Sequence, residues 1–359
     1  MQNTIKLDEY RNKLKAALFG RFAGCTLGAP VEGWSLEKME NYAKELGITE
    51  YPLTDYWPSH PNPEVSRYQY EKLKNYTKDF MDHVPCDDDI GYTYLSLFIA
   101  EEGNGLDFTL NDVANAWLKY LPFACTAEQV ALGNLQKGIP PSQAAEFDNP
   151  YQEWIGADIR CDGYGYMAPC NPKKAAEMAN TDAWISHRNN GVYGSMYFAA
   201  VISLCFCLSD PKKALVEGLN YIPADCELAD AVRWALEHYD AVKDYRHAAE
   251  LVDEKFPGMH IVHTINNACL IIFALALGGK DVGKVIANAV AMAHDNDCTA
   301  ATAGSIAGAC YGMDSLDAHW YLPFNDKVGS YFNGPRYYSI SDLLARFEKM
   351  ALKSGSVIP

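Results

Sequence analysis

The chain reads as an all-α protein folded into a single compact domain spanning residues 1–359, and three observations predict it. Helix-start signals recur. Thr109-Leu110-Asn111-Asp112 has the pattern of a capping box, and Val113, Trp117 and Leu121 follow it at helical spacing. Asn171-Pro172 and Asp210-Pro211 each set a capping side chain before a proline at the first helical position, where the missing N–H is not needed. Alanine-rich stretches fill 172–180, 226–241, 263–278 and 281–293, while valine and isoleucine nowhere alternate long enough for a large sheet. The sequence contains neither an internal repeat nor a low-complexity segment.

Between the helical stretches, residues 51–85 differ in character. Pro52, Trp57, Pro58, Pro61 and Pro63 stand among many tyrosines, which predicts a long aromatic loop, either a lid or rim over a site or a connection packed by its own rings. It runs into Asp87-Asp88-Asp89, after which Ile90, Tyr92, Leu95 and Phe98 return to helical spacing. Capping and the helix dipole account for one or two of these aspartates, but three in a row repel one another without a partner. Asn189-Asn190-Gly191 has turn chemistry and opens the next helix. Late in the chain, His294-Asp295-Asn296-Asp297-Cys298-Thr299 leads into a run of small residues, Ala300 to Ala309. An Asp-x-Asp at a helix start aims two oxygen donors at one point, and the small residues behind it let another backbone come close. Residues 320–338 are again aromatic and loop-like, and a last helix begins at about Ser341.

Composition narrows the class. Hydrophobic residues make up 49% and charged residues 21%, a globular balance. A net charge of -16 with no basic tract argues against binding nucleic acid or an anionic membrane. The eleven cysteines lie among apolar neighbours, as in Ser203-Leu204-Cys205-Phe206-Cys207, and the first ten residues lack a signal-peptide core. Reduced thiols in a cytoplasmic protein are therefore expected. No Cys-x-x-Cys pair suggests zinc, and the longest apolar run, Ala268 to Gly279, falls short of the ~20 residues a membrane span needs.

If the fold unites the two acidic knots, five carboxylates converge and their repulsion demands cations. Oxygen ligands favour Mg²⁺, Mn²⁺ or Ca²⁺. A calcium EF-hand beginning at Asp295 is excluded, because Ala300 and Ile306 occupy its glycine and glutamate positions. The Asp-Asp-x-x-Asp pattern of class I terpene synthases is excluded by Gly91.

With both knots placed, the chain resembles the ADP-ribosylglycohydrolase family, of the dinitrogenase-reductase-activating type. Asp87-Asp88-Asp89-Ile90 is similar to the family's early Thr-Asp-Asp-Thr motif. Asp295-Asn296-Asp297-Cys298 is similar to its late Asp-Thr-Asp-Thr motif, and Gly304 to Ala309 to the helix behind it. Gly20 to Glu32 resembles the opening Gly-Asp-Ala-Leu-Gly-x-Pro-x-Glu, Ile155 to Arg160 the Gly-x-x-Met-Arg segment, and Ser186-His187 a Thr/Ser-His pair. His263 to Ala268 and Ser339 to Leu343 are fainter likenesses.

The resemblance implies an all-helical fold with a two-ion Mg²⁺ centre (Mn²⁺ as the alternative metal) that hydrolyses the glycosidic bond at C1 of the distal ribose of ADP-ribose. Asp88, Asp89, Asp295 and Asp297 are its implied ligands, with Asp87 at a usual threonine position. Cys298 stands where a threonine is usual, with Thr299 as a substitute one residue on; Cys25 replaces the opening aspartate. Glu32 with Asp89 or Asp297 is implied as general base. For His187, a substrate contact or a helix-capping role is open, and for Arg160, a phosphate contact or a structural carboxylate. Asn190 and Gly191 either meet substrate or start their helix. The implied partner is an ADP-ribosylated protein or a small-molecule substrate. The alternatives are a non-catalytic ADP-ribose or nucleotide binder and a hydrolase of a free ribosylated metabolite or nucleoside.

Overall fold

Side-chain caps start the helices where the sequence signals them. The structure, a computed structural model, describes residues 4–359. Its helices are α1 (Leu7–Gly28), α2 (Leu36–Glu45), α3 (Asp88–Glu102), α4 (Leu110–Tyr120), α5 (Thr126–Gln136), α6 (Asp162–Met167), α7 (Pro172–Ala183) and α8 (Asn189–Cys205). They continue as α9 (Pro211–Gly218), α10 (Glu227–His238), α11 (Tyr245–Lys255), α12 (Thr264–Gly278), α13 (Val282–Ala291), α14 (Asn296–Tyr311) and α15 (Ile340–Lys353). Thr109 and Asp112 close the expected capping box on α4. Asn171 and Asp210 cap α7 and α9 ahead of their prolines. Strand structure among the described residues is limited to two small ladders. Ile5–Lys6 pairs in parallel with Val357–Ile358, and Lys327–Gly329 pairs antiparallel with Tyr337–Ser339.

The centre of the domain is the pairing of α1 with α14. Ala16, Gly20, Gly24 and Gly28 recur every four residues and so form one stripe of α1. Opposite them lie Asp297, Ala300, Gly304 and Gly308 of α14. A Cβ on Gly24 would come within 2.2 Å of the Ala300 carbonyl oxygen, and one on Gly20 within 2.4 Å of that of Gly304. Only bare backbone fits here, so the two helices touch main chain to main chain. Helices α12, α13 and α14 pack in succession, and α12 is buried along nearly its whole length, as its apolar circumference requires.

The two aromatic segments pack on each other. Tyr56 meets Trp320 edge-on at 5.0 Å between ring centroids and donates its hydroxyl to the Trp320 carbonyl at 2.6 Å. Trp57 and Tyr76 are fully buried. Residues 51–85 are irregular apart from a single 3₁₀ turn, Leu73–Tyr76. No helix among the described residues is long and apolar enough to cross a membrane, and all eleven cysteines are free thiols.

Candidate metal centre and active site

Three helix ends meet at one point. Gly28 closes α1, and a Cβ there would lie 2.5 Å from the Asp297 Cα, so the missing side chain is what admits the start of α14. Asp87 caps α3, accepting from the Asp89 backbone N–H at 3.2 Å. The knots, some two hundred residues apart, thus converge. Ligand atoms of Cys25, Asp87, Asp89 and Asp297 lie within 4.8 Å of one another, as do those of Asp295, Asp297 and Cys298. Asp88 borders the same cleft but belongs to neither cluster.

The cation that this charge density demands is supplied in part by the chain. Arg67, from the aromatic loop, reaches into the knots with its side chain 6% exposed. Its Nε donates to Asp87 at 2.8 Å, one terminal nitrogen to Glu32 and the other to Asp297. Beneath the site, the fully buried Arg21 donates to the Asp89 carbonyl at 2.9 Å and pairs with Asp89 at 3.4 Å and Asp162 at 3.0 Å. Two guanidiniums thus meet part of the demand for cations.

Even so, Asp89, Asp295 and Asp297 are held in a form that resists ionisation. Burial, followed by repulsion from Asp297, raises the Asp89 pKa well above normal against the pull of Arg21. Burial and the neighbouring Asp297 and Glu32 do the same to Asp295. Asp297 is pushed up to about 7, by burial first and Glu32 second, with Arg67 opposing. Asp295 Oδ1 and Asp297 Oδ1 are buried with no hydrogen-bond partner. Unpartnered carboxylate oxygens in a buried acidic cluster are what a hard divalent cation satisfies, so the donor set fits such an ion.

Cys298 belongs to the second cluster and also links the two knots. Burial and the surrounding aspartates push its thiol pKa well up, so it keeps its proton, and Sγ donates to Asp89 Oδ2 at 3.2 Å, tying one knot to the other. Cys25 is likewise a buried neutral thiol. The Thr299 hydroxyl turns back to the Asn296 carbonyl at 3.4 Å within its own helix and joins neither cluster.

A cleft of about 190 Å³ opens over the knots, lined by Glu32, Tyr68, Glu128, Trp154, Asp295 and Asp297 among others. Tyr68 donates to both Glu32 carboxylate oxygens, at 2.9 and 3.1 Å. Four non-glycine residues around the site hold left-handed backbone: Tyr68 (φ 48), Thr126 (φ 40), and Ala293 and His294 (φ 64 and 62) directly before Asp295. Such conformations cost energy and gather where a side chain must be aimed.

The remaining sequence candidates stand behind the cleft wall. Arg160 is fully buried, donating to Glu128 at 2.8 Å and Asp182 at 2.7 Å, which is the structural alternative. Ser186 accepts from Arg160 at 2.9 Å and is bonded to His187 Nδ1 at 2.8 Å. His187 is itself fully buried, and burial followed by the Arg160 and Arg188 charges lowers its pKa well below the usual value. Asn190 donates to Glu153 and Glu227 at 2.9 and 3.2 Å, joining segments rather than lining the cleft. Gly191 sits where a Cβ would be 2.3 Å from the Gln152 carbonyl oxygen.

Sequence reasoning missed Arg67 and Arg21. Arg21 left a signal, a lone charge within the apolar, small-residue stretch Leu18 to Cys25. Arg67 left none, because a loop has no periodicity to mark which side chain turns inward.

The family model for ADP-ribosylglycohydrolase matches residues 6–351. No curated protein matches the sequence. Among solved structures, a chain described as an ADP-ribosylglycohydrolase-related protein complex superimposes with a TM-score of 0.62, covering 97% of this chain and 99% of its own. At 17% identity that likeness establishes the fold.

Proposed function

Because the chain belongs to the ADP-ribosylglycohydrolase family, we propose that it hydrolyses the glycosidic bond between the distal ribose of ADP-ribose and an acceptor, and that it depends on Mg²⁺ or Mn²⁺. The observation that carries this reading is the pair of buried, unpartnered oxygens on Asp295 and Asp297, in the lining of the cleft that Asp89 also lines. Asp89, Asp295 and Asp297 would hold the cation, with Asp88 at its edge. When bound, the ion would supply Lewis-acid chemistry for the ribose hydroxyls and the attacking water.

The chain's own residues do the rest. Glu32, held from above by Tyr68, faces the cleft and accepts the proton of the attacking water. Asp297 shares the Arg67 guanidinium with Glu32, which keeps the two carboxylates on one side of the cleft. The carboxylate field stabilises the positive charge that develops on the ribose ring. Trp154 and Ile155 form an apolar wall that limits water. Eleven free thiols support a reducing, cytoplasmic setting.

The test is ADP-ribose release from ADP-ribosyl-arginine, from a serine-linked ADP-ribosyl peptide and from free ribosylated nucleosides, with Mg²⁺ or with EDTA. The reading predicts release from at least one, lost in EDTA and restored by Mg²⁺. Tight ADP-ribose binding with no release from any of them would establish a binder instead.

A further inference from the structure

We propose that this centre takes one divalent cation rather than two, because Arg67 permanently occupies the second cation position. The inference rests on the metal-dependent reading above, and it departs from the two-ion expectation carried by the family resemblance.

The guanidinium is fully engaged. Its three nitrogens each serve a different carboxylate: Asp87 from the first knot, Asp297 from the second, and Glu32 from the end of the opening segment. A planar fork with five donors matches such a set as an ammonium cannot, and arginine does not lose its charge in proteins. The first cluster able to close on an ion consists of Cys25, Asp87, Asp89 and Asp297. Two of its carboxylates are bonded to Arg67, and its thiol is a poor partner for a hard cation. An ion there would have to displace Arg67 from two charge-assisted bonds at once.

The other group able to close on an ion, Asp295, Asp297 and Cys298, meets Arg67 only through one oxygen of Asp297. There Asp295 Oδ1 and Asp297 Oδ1 are buried and unpartnered, and the Cys298 thiol is turned to Asp89. One ion is accommodated there while Arg67 stays in place.

The loop is built to keep Arg67 where it is. Arg67 accepts from the Tyr70 N–H at 3.0 Å and donates its own N–H to the Glu71 carbonyl at 2.8 Å, while Leu73 donates to Val65 at 2.8 Å and Lys74 to Pro63 at 3.0 Å. This is a braced turn with Arg67 near its tip. The Glu71 side chain then accepts from the Cys86 N–H at 3.2 Å and contacts His83 at 3.0 Å, fastening the turn to the segment that leads into Asp87.

The experiment is a Mn²⁺ titration of the full chain and of Arg67→Ala, read by calorimetry and by electron paramagnetic resonance. One Mn²⁺ per wild-type chain is expected, with the spectrum of an isolated ion. Arg67→Ala is expected to take two, with the spin coupling of a pair ~4 Å apart, and to return to one when free guanidinium is added. Two ions in the wild type, or one in both proteins, overturns the proposal while leaving metal dependence intact. No ion in either overturns both. Should Arg67→Ala fail to fold, the wild-type count and spectrum decide alone.

Discussion

The clearest test of how the fold makes the site is Gly28→Ala. Gly28 ends α1 with φ -79, a backbone any residue adopts, so conformational freedom is not why glycine stands there. Close approach is: an added Cβ meets the Asp297 Cα at 2.5 Å, its N at 2.6 Å and the Asn296 carbonyl carbon at 2.8 Å. Ordinary carbon contacts are about 3.5–4.0 Å, so the first turn of α14 must retreat by roughly 1 Å. Overpacking of this kind costs about 1–3 kcal/mol, and the better helix propensity of alanine returns about 0.5–1 kcal/mol. The expected net loss is about 1–2 kcal/mol in urea denaturation. Displacing a ligand-bearing turn should also weaken Mn²⁺ binding about 10–100-fold, the range seen when support of a metal ligand is lost.

Two companions separate causes. Gly308→Ala meets the Ala16 carbonyl oxygen at 2.3 Å near the far end of the same helix pair, and should lose stability while keeping Mn²⁺ affinity. Gly133→Ala in α5 meets nothing within 4 Å and should gain about 0.5–1 kcal/mol. Wild-type stability and wild-type Mn²⁺ affinity in Gly28→Ala would refute the reasoning.

Arg160→Met should destabilise the domain by about 3–5 kcal/mol, because Glu128 and Asp182, each about as buried as Arg160 itself, lose their shared partner; a melting temperature near wild type would contradict that. His187 carries a lowered pKa in the fold, so below about pH 6.5 the unfolded chain takes a proton that the folded ring resists. Its contribution to stability therefore declines as pH falls through that range, by up to about 1.4 kcal/mol per pH unit. The difference in unfolding free energy between wild type and His187→Gln, followed from pH 7 downward, should narrow accordingly; a constant difference would show that the ring titrates normally.

The helical class was legible because caps and alanine-rich periodicity are local. Thr109-Asp112, Asn171-Pro172 and Asp210-Pro211 each started the helix they signal. The pairing of the knots was legible only through the small-residue run after Asp297 and the family likeness, since no local rule brings residues two hundred positions apart together. What stayed hidden was the role of side chains whose partners lie elsewhere in the chain. Arg160 had both a functional and a structural reading until Glu128 and Asp182 were seen around it. The Cys298 thiol showed in the sequence only as standing at a usual threonine position, not as the donor to Asp89. Arg67 lies in a loop whose course is set by the packing of Tyr56, Trp57 and Tyr76, which the sequence displays only as a cluster of rings.

Anomalous diffraction from crystals grown with Mn²⁺ and ADP-ribose addresses the shared centre most directly. The account predicts a peak bounded by Asp89, Asp295 and Asp297, with the distal ribose above it and Arg67 still joined to Asp87. Crystals that bind ADP-ribose yet show no anomalous density between the two aspartate clusters would contradict it.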